Sequence, residues 1–159
     1  MRSGRTVTMG LRKGAGITNM DKNSPTVNVG CAVILHKDRI LIAQRKKGDT
    51  LAGYWEFPGG KLEECESLEE CLAREVREEL GIEIKAVKFW RTIEHEYPAK
   101  KLALHFYFCR WISGKPEPIE CAAARWIKIP ELKRYKFPPA DTDVIKDLIA
   151  NETEYRGMF

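Results

Sequence analysis

From Gly59 to Ile82 the chain reads GGKLEECESLEECLAREVREELGI, with eight glutamates against one lysine and two arginines. Like charges three or four positions apart on a helix repel by roughly 0.2–0.5 kcal/mol per pair, so this cluster needs a counter-charge. On a helix Glu75 and Glu79 lie one turn apart and Glu78 is three residues from Glu75, which places all three on adjoining faces. Leu68, Leu72, Ala73, Val76 and Leu80 form an apolar stripe at helical spacing, and Glu75 and Glu79 border it. Partly buried carboxylates are costly unless paired. Arg74, four residues before Glu78, can offset one of them but not all three. A divalent cation would satisfy the set, because carboxylate oxygens are hard ligands suited to Mg2+ or Mn2+. A solvated charged face is the other reading that the helix alone allows.

The elements around this helix must position it. VNVGCAVILHKDRILIAQR, from Val27, reads as two β-rich runs joined by a polar turn at 36–39. KKGDTLAGYWEFPGG, with its glycines and proline, reads as a loop. Ser67 is a candidate N-cap with Glu70 completing a capping box, and Gly81 suits the C-terminal stop. IEIKAVKFWRTIEHEYP and LALHFYFCRWI read as paired strands, with Leu102, Leu104, Phe106 and Phe108 on one face by alternation. RWIKI is a short strand followed by a helical turn near 131–135, and a last helix starts at Ala140 or Asp141 after two prolines. Strand groups separated by one helix and closed by another predict an α/β sandwich.

Composition removes several classes of function. A chain of 159 residues with 43% hydrophobic content is long enough for one soluble domain with a sizeable core. No apolar run approaches the roughly 20 residues that span a bilayer. The five cysteines are odd in number and lack CxxC spacing, and the three histidines show no metal-ligand spacing. Reduced thiols and a cytoplasmic location are expected. Residues 1–22 hold five basic side chains and one acid, which accounts for the whole net charge of +4 and leaves 22 basic against 22 acidic side chains beyond them. A neutral domain does not offer the footprint of a duplex nucleic-acid binder. The basic segment 1–25 is expected to be a disordered extension. It has no apolar core of a secretory signal, though its composition also allows an organelle transit segment. Residues 26–159 form the expected domain, as monomer or homodimer.

Gly60, Glu66, Arg74, Glu75, Val76, Glu78, Glu79, Gly81 and Ile82 match G-x5-E-x7-R-E-U-x-E-E-x-G-U at every fixed position, U being a bulky aliphatic. With average residue usage a chance match is on the order of 10⁻⁷ or less. In these residues the sequence resembles the Nudix hydrolases. The runs GCAVILHKDRILIAQR, LAGYWEFPGGK, EYPAKKLALHFYF, GKPEP, Glu120 followed by Arg125–Trp126, and FPPAD resemble the MutT branch over about residues 27–150. The resemblance implies a Nudix α/β/α sandwich with a mixed sheet and the signature loop–helix–loop. It also implies Mg2+-dependent hydrolysis (Mn2+ as substitute) of a nucleoside triphosphate such as 8-oxo-dGTP, giving monophosphate and pyrophosphate.

The resemblance assigns roles residue by residue. Glu75, Glu78, Glu79 and Glu120, with the carbonyl of Gly59, would hold metal. Glu75 or Glu120 would accept the proton of water, and Glu78 belongs to the same catalytic group. Glu66 and Arg74 would brace the loop on the helix, and Gly60 and Gly81 would shape the signature. Arg45 would meet substrate phosphate, and Glu56, Phe57 and Asp141 would face substrate, with Trp55 and Leu51 as further pocket candidates. Asp141, Glu120 and Arg45 also admit plainer readings as a helix N-cap, a solvated loop acid and an exposed strand-end charge.

The branch often has asparagine where this chain has Asp141. An ionised carboxylate only accepts hydrogen bonds. That suits the adjacent N1–H and 2-amino donors of guanine, whereas cytosine would need a protonated acid. Three readings follow: an oxidised-guanine triphosphate pyrophosphohydrolase, a sibling acting on CTP, dCTP or another nucleoside diphosphate derivative, and a non-catalytic module that reads a modified base. The last should show a degraded signature, a basic groove or a fused partner, and none of these is found in the sequence.

Overall fold

The computed structural model describes residues 25–159. The expectation for the basic extension therefore falls, apart from Pro25, outside the described residues. The chain order is β1 (Thr26–His36), β2 (Arg39–Gln44), β3 (Trp55–Glu56), β4 (Gly59–Lys61), α1 (Leu68–Leu80), β5 (Glu83–Tyr97), β6 (Lys100–Ser113), β7 (Ala123–Lys128), two 3-10 turns (Ile129–Arg134 and Pro139–Asp141), α2 (Thr142–Ala150) and α3 (Glu152–Arg156).

One mixed sheet runs in the order β3-β2-β1-β6-β5, with β4 added to β1 and β7 to β2. Strands β1 and β6 are parallel from Thr26–Lys101 to Leu35–Arg110, and the other pairings are antiparallel. The central strands are apolar on both faces because both are covered. Ala32, Ile34, Leu41 and Ala43 pack under α1 against Leu72, Val76 and Leu80. Val33, Leu35, Ile40, Ile42, Phe106 and Phe108 face the other way, against Leu132, Val144 and Leu148. Helices on both faces make the α/β/α sandwich that the resemblance implied.

Three local expectations shift. The stretch 46–60, read as a loop, contains β3 and β4. These strands are two and three residues long, too short for any alternation to show, and exist because β2 and β1 offer them partners. The buried face of α1 is Cys71, Leu72, Val76 and Leu80, with Leu68 and Ala73 only half-buried. The reason lies across the interface, where a Cβ on Gly30 would come within 2.9 Å of Leu72 and 3.7 Å of Cys71. The missing side chain of Gly30 is the room that both occupy. The last helix begins at Thr142, after a 3-10 turn, and Asn151 separates it from α3.

Among the described residues no helix is long and apolar enough to cross a membrane, and all five cysteines are free.

Gly59 joins the loop to the sheet at its tightest point. It pairs with Cys31, and a Cβ there would sit 1.9 Å from the carbonyl oxygen of Gly30, with φ at +157°. Backbone cannot yield as a flexible side chain does. Gly59→Ala is expected to cost about 3 kcal/mol, the upper end for overpacking, and to lower Tm by roughly 6–12 °C in a circular-dichroism melt.

Candidate functional site

Helix α1 is held at both ends. Ser67 accepts from the Glu70 amide at 3.1 Å while the Glu70 carboxylate accepts from the Ser67 amide at 2.8 Å, and Gly81 closes the helix in the left-handed conformation. Arg74 fastens it to the preceding loop. Its guanidinium donates to Glu66 at 2.6 and 3.0 Å and to the Lys61 carbonyl at 3.2 Å. Glu66 also accepts from the Glu63 amide at 3.0 Å, and its hydrogen bonds from Arg74 hold it down to about 2. Arg74 reaches further than its spacing suggested, donating to Glu75 at 2.8 Å as well as to Glu78 at 3.3 Å. The one glutamate of the trio it leaves alone is Glu79.

Glu79 is the carboxyl of the trio that has no cation beside it among the described residues. Its Oε2 is buried and has no hydrogen-bond partner among the described residues. Burial above all, then the charges of Glu56, Glu75 and Glu120, push its pKa to about 8, with only the Gly59 amide acting the other way. Glu75 is also raised, by burial first, with Arg74 opposing and Glu78 and Glu120 adding to it. Its carboxylate lies directly over Gly60, where a Cβ would come within 2.3 Å of the carboxyl carbon. Glu78 is exposed.

Glu120 reaches this cluster from a distant loop. The amides of Ile119 and Glu120 donate to the Glu79 carbonyl at 3.0 and 3.2 Å, and that of Glu117 to the Leu80 carbonyl at 3.0 Å. These amides take up carbonyls that a helix C-terminus leaves without partners, and so strap the loop to α1. Among the described residues no three His, Cys, Asp or Glu side chains converge closely enough to grip an ion as they stand, and Arg74 occupies one oxygen each of Glu75 and Glu78. A buried, unpartnered carboxyl oxygen among other acids is nevertheless the donor chemistry that a hard divalent cation fits. Glu79, Glu75, Glu78 and Glu120 are the side chains that could hold one.

The second half of the site is built by β1, β2, β3 and the turn before α2. Arg45 donates to Glu56 at 2.8 Å, both being half-buried, while its Nε is buried without a partner among the described residues. Burial raises the pKa of Glu56 and Arg45 opposes the rise. Asp141 is 6% exposed. It stands at the N-cap of α2 but makes no side-chain cap hydrogen bond, so its carboxylate is not spent on the helix. Burial, then the charge of Glu56, pushes it to about 7. Phe57 is buried in the core, edge-on to Phe106 at 5.9 Å and 5.2 Å from Phe137. Trp55 is buried against Tyr135, and Leu51 is an exposed loop residue with φ of 57°.

Cys31 could not be placed at the site from the sequence. It pairs with Gly59 across β1 and β4, and its thiol is pushed well up by burial, then by Asp141 and Glu56. Through that pairing it stands beside the start of the signature loop. Only long-range pairing reveals this, because in the sequence it is one apolar residue of a β run.

A NUDIX domain family model matches residues 30–147. The chain is 35% identical over 121 residues to an 8-oxo-dGTP diphosphatase of Buchnera aphidicola (subsp. Schizaphis graminum), covering 76% of this chain and 92% of the relative. It is 34% identical to a CTP pyrophosphohydrolase of Escherichia coli K12, covering 78% and 92%. The crystal structure of a MutT protein from Methanosarcina mazei Go1 superposes with a TM-score of 0.71 at 25% identity, covering 83% of this chain and 98% of that one.

The Glu79 carboxyl has a measurable signature. Its pKa of about 8 in the fold lies above the ordinary value of 4.5, so between these pH values the folded chain keeps a proton that the unfolded chain has lost. Metal-free protein should lose stability as pH rises through this window, by at most about 1.4 kcal/mol per pH step from this group, and level off above it. Asp141 slopes the same way below about pH 7, so the comparison with Glu79→Gln isolates Glu79. Melting curves in a chelator from pH 5 to 9 should be flatter for the variant, and added Mg2+ should raise the wild-type Tm more at pH 8 than at pH 6.

Proposed function

The chain belongs to the Nudix hydrolase family, which acts on phosphoanhydride bonds with divalent metal, and we propose from this that it is a Mg2+-dependent nucleoside triphosphate pyrophosphohydrolase, with 8-oxo-dGTP its preferred substrate and Mn2+ able to replace Mg2+. The observation that carries the reading is the buried oxygen of Glu79 left without a partner among the described residues, on a helix that also carries Glu75 and Glu78.

Glu79, Glu75, Glu78 and Glu120, with the Gly59 carbonyl, hold the metal in this reading. Held there, divalent metal would supply neutralisation of the phosphates and polarisation of the phosphorus under attack. Glu75 takes the proton of the attacking water, with Glu120 the second choice for that role. Glu75 is suited because burial has already raised its affinity for a proton. The water oxygen bonds to phosphorus, the phosphoanhydride bond breaks, and pyrophosphate leaves the nucleoside monophosphate. Arg45 aims its free Nε at substrate phosphate while Glu56 holds the far end of its guanidinium. Phe57 backs the pocket from the core.

Asp141 reads the base. Ionised, it accepts from N1–H and the 2-amino group of guanine together. With its pKa near 7 a protonated fraction is present at neutral pH, and that form can donate to N3 of cytosine while accepting from its amino group. This favours a cytidine triphosphate as the second reading, in keeping with the CTP pyrophosphohydrolase among its relatives.

Glu79→Gln keeps size and polarity, and should lower turnover at least about 100-fold at saturating Mg2+ with the fold intact by circular dichroism. Near-normal turnover would make the cluster structural. In a pyrophosphate-release panel at pH 8, 8-oxo-dGTP should show the highest kcat/KM, and the relative rate with dCTP should rise at pH 6. Asp141→Ala should cost guanine nucleotides roughly 1–3 kcal/mol and cytidine nucleotides less. A best substrate of CTP or dCTP at pH 8, or equal losses for all bases, would contradict the base-reading role.

A further inference from the structure

We infer that Asp147 and Arg91 are positioning residues for base selection, fixing helix α2 so that Asp141, at its start, stands at the right depth in the pocket. The inference rests on the base-reading role of Asp141.

Asp147 takes donors from three elements: Arg91 Nη2 on β5, Asn151 Nδ2 at 2.6 Å in the link between the helices, and the Tyr155 hydroxyl at 3.2 Å on α3. The Arg91 guanidinium lies 4.2 Å from the Trp90 ring centroid, and Trp90 packs on Phe108 and Tyr155. The guanidinium–carboxylate contact is charge-assisted and partly shielded from solvent, and it ties α2 to the sheet.

Asp141 has no such tie to its own helix, because its side chain makes no cap hydrogen bond. It is buried with Val144 and Leu148, three and seven residues on, along one face of α2. The depth of its carboxylate is therefore set by where the whole helix sits. Asp147 lies six residues further along, about 9 Å by helical rise, so release of α2 at Asp147 reaches Asp141 as a rigid-body displacement. The acid cluster on α1, on the opposite face of the sheet, is left in place.

The test is a double-mutant cycle on selectivity, the ratio of kcat/KM for 8-oxo-dGTP to that for dCTP at pH 8, with the full chain and Mg2+. Asp147→Asn should lower the ratio by about tenfold, as small misplacements of a contact group do, with kcat on each substrate changed by less than about threefold. In an Asp141→Ala background it should have no further effect, because the two act through one contact. Arg91→Lys keeps the charge but loses the planar fork. It should shift the ratio in the same direction, and carries the test if Asp147→Asn does not fold. A ratio altered by Asp141→Ala but untouched by Asp147→Asn and Arg91→Lys, or lowered equally in both backgrounds, overturns the positioning role. A ratio that Asp141→Ala leaves unchanged overturns the base-reading role itself.

Discussion

The carboxyl of Glu79 is buried beside other acids with one oxygen left without a partner, and the architecture around it follows from that constraint. A lone buried carboxylate is expensive and ordinarily takes up a proton. A fold could remove the cost by pairing Glu79 with a cation from its own chain, and the same helix carries the guanidinium of Arg74. Arg74 is instead committed to Glu66, the Lys61 carbonyl, Glu75 and Glu78. The chain thus neutralises the rim of the cluster and leaves the Glu79 carboxyl at its centre without a cation of its own among the described residues.

The neighbouring elements keep that centre in place. The sheet brings Gly59 and Gly60 against β1, and the bare Cα of Gly60 makes room for the Glu75 carboxylate. The strap of amides from residues 117–120 uses the C-terminal carbonyls of α1 to bring a fourth acid alongside. On the other side of the sheet Asp141 is also buried near a like charge, Glu56, and also has a raised pKa. Glu56 is the charge common to both carboxyls, adding to the rise at Glu79 and at Asp141.

Much of this was legible in the sequence, for local reasons. The capping box of Ser67 and Glu70, the stop at Gly81, and the alternation along 102–108 depend on neighbours a few residues away, so their spacing announces them. The grouping of Glu75, Glu78 and Glu79 follows from helical geometry alone. Features made by distant partners could not be read. Strand β4 exists because β1 is beside it, Cys71 is buried because Gly30 has no side chain, and Cys31 reaches the site through its pairing with Gly59. Helical spacing shows Arg74 only as an i+4 partner for Glu78; its brace to Glu66 follows from the resemblance, and its bond to Glu75 from neither. Asp141 at a helix start also reads as a cap, and the fold shows that its side chain makes no cap hydrogen bond.

The central claim, that the buried Glu79 carboxyl is a seat for a divalent cation, is tested most directly by counting protons. A metal that takes this seat must displace the proton Glu79 holds below its pKa of about 8. Titration calorimetry of Mg2+ into nucleotide-free protein, in buffers of different ionisation enthalpy, measures that release. Close to one proton should leave per bound ion at pH 6.5 and almost none at pH 9, with the release abolished in Glu79→Gln. Binding at pH 6.5 without proton release, or with the same release in the variant, would show that the cation sits elsewhere.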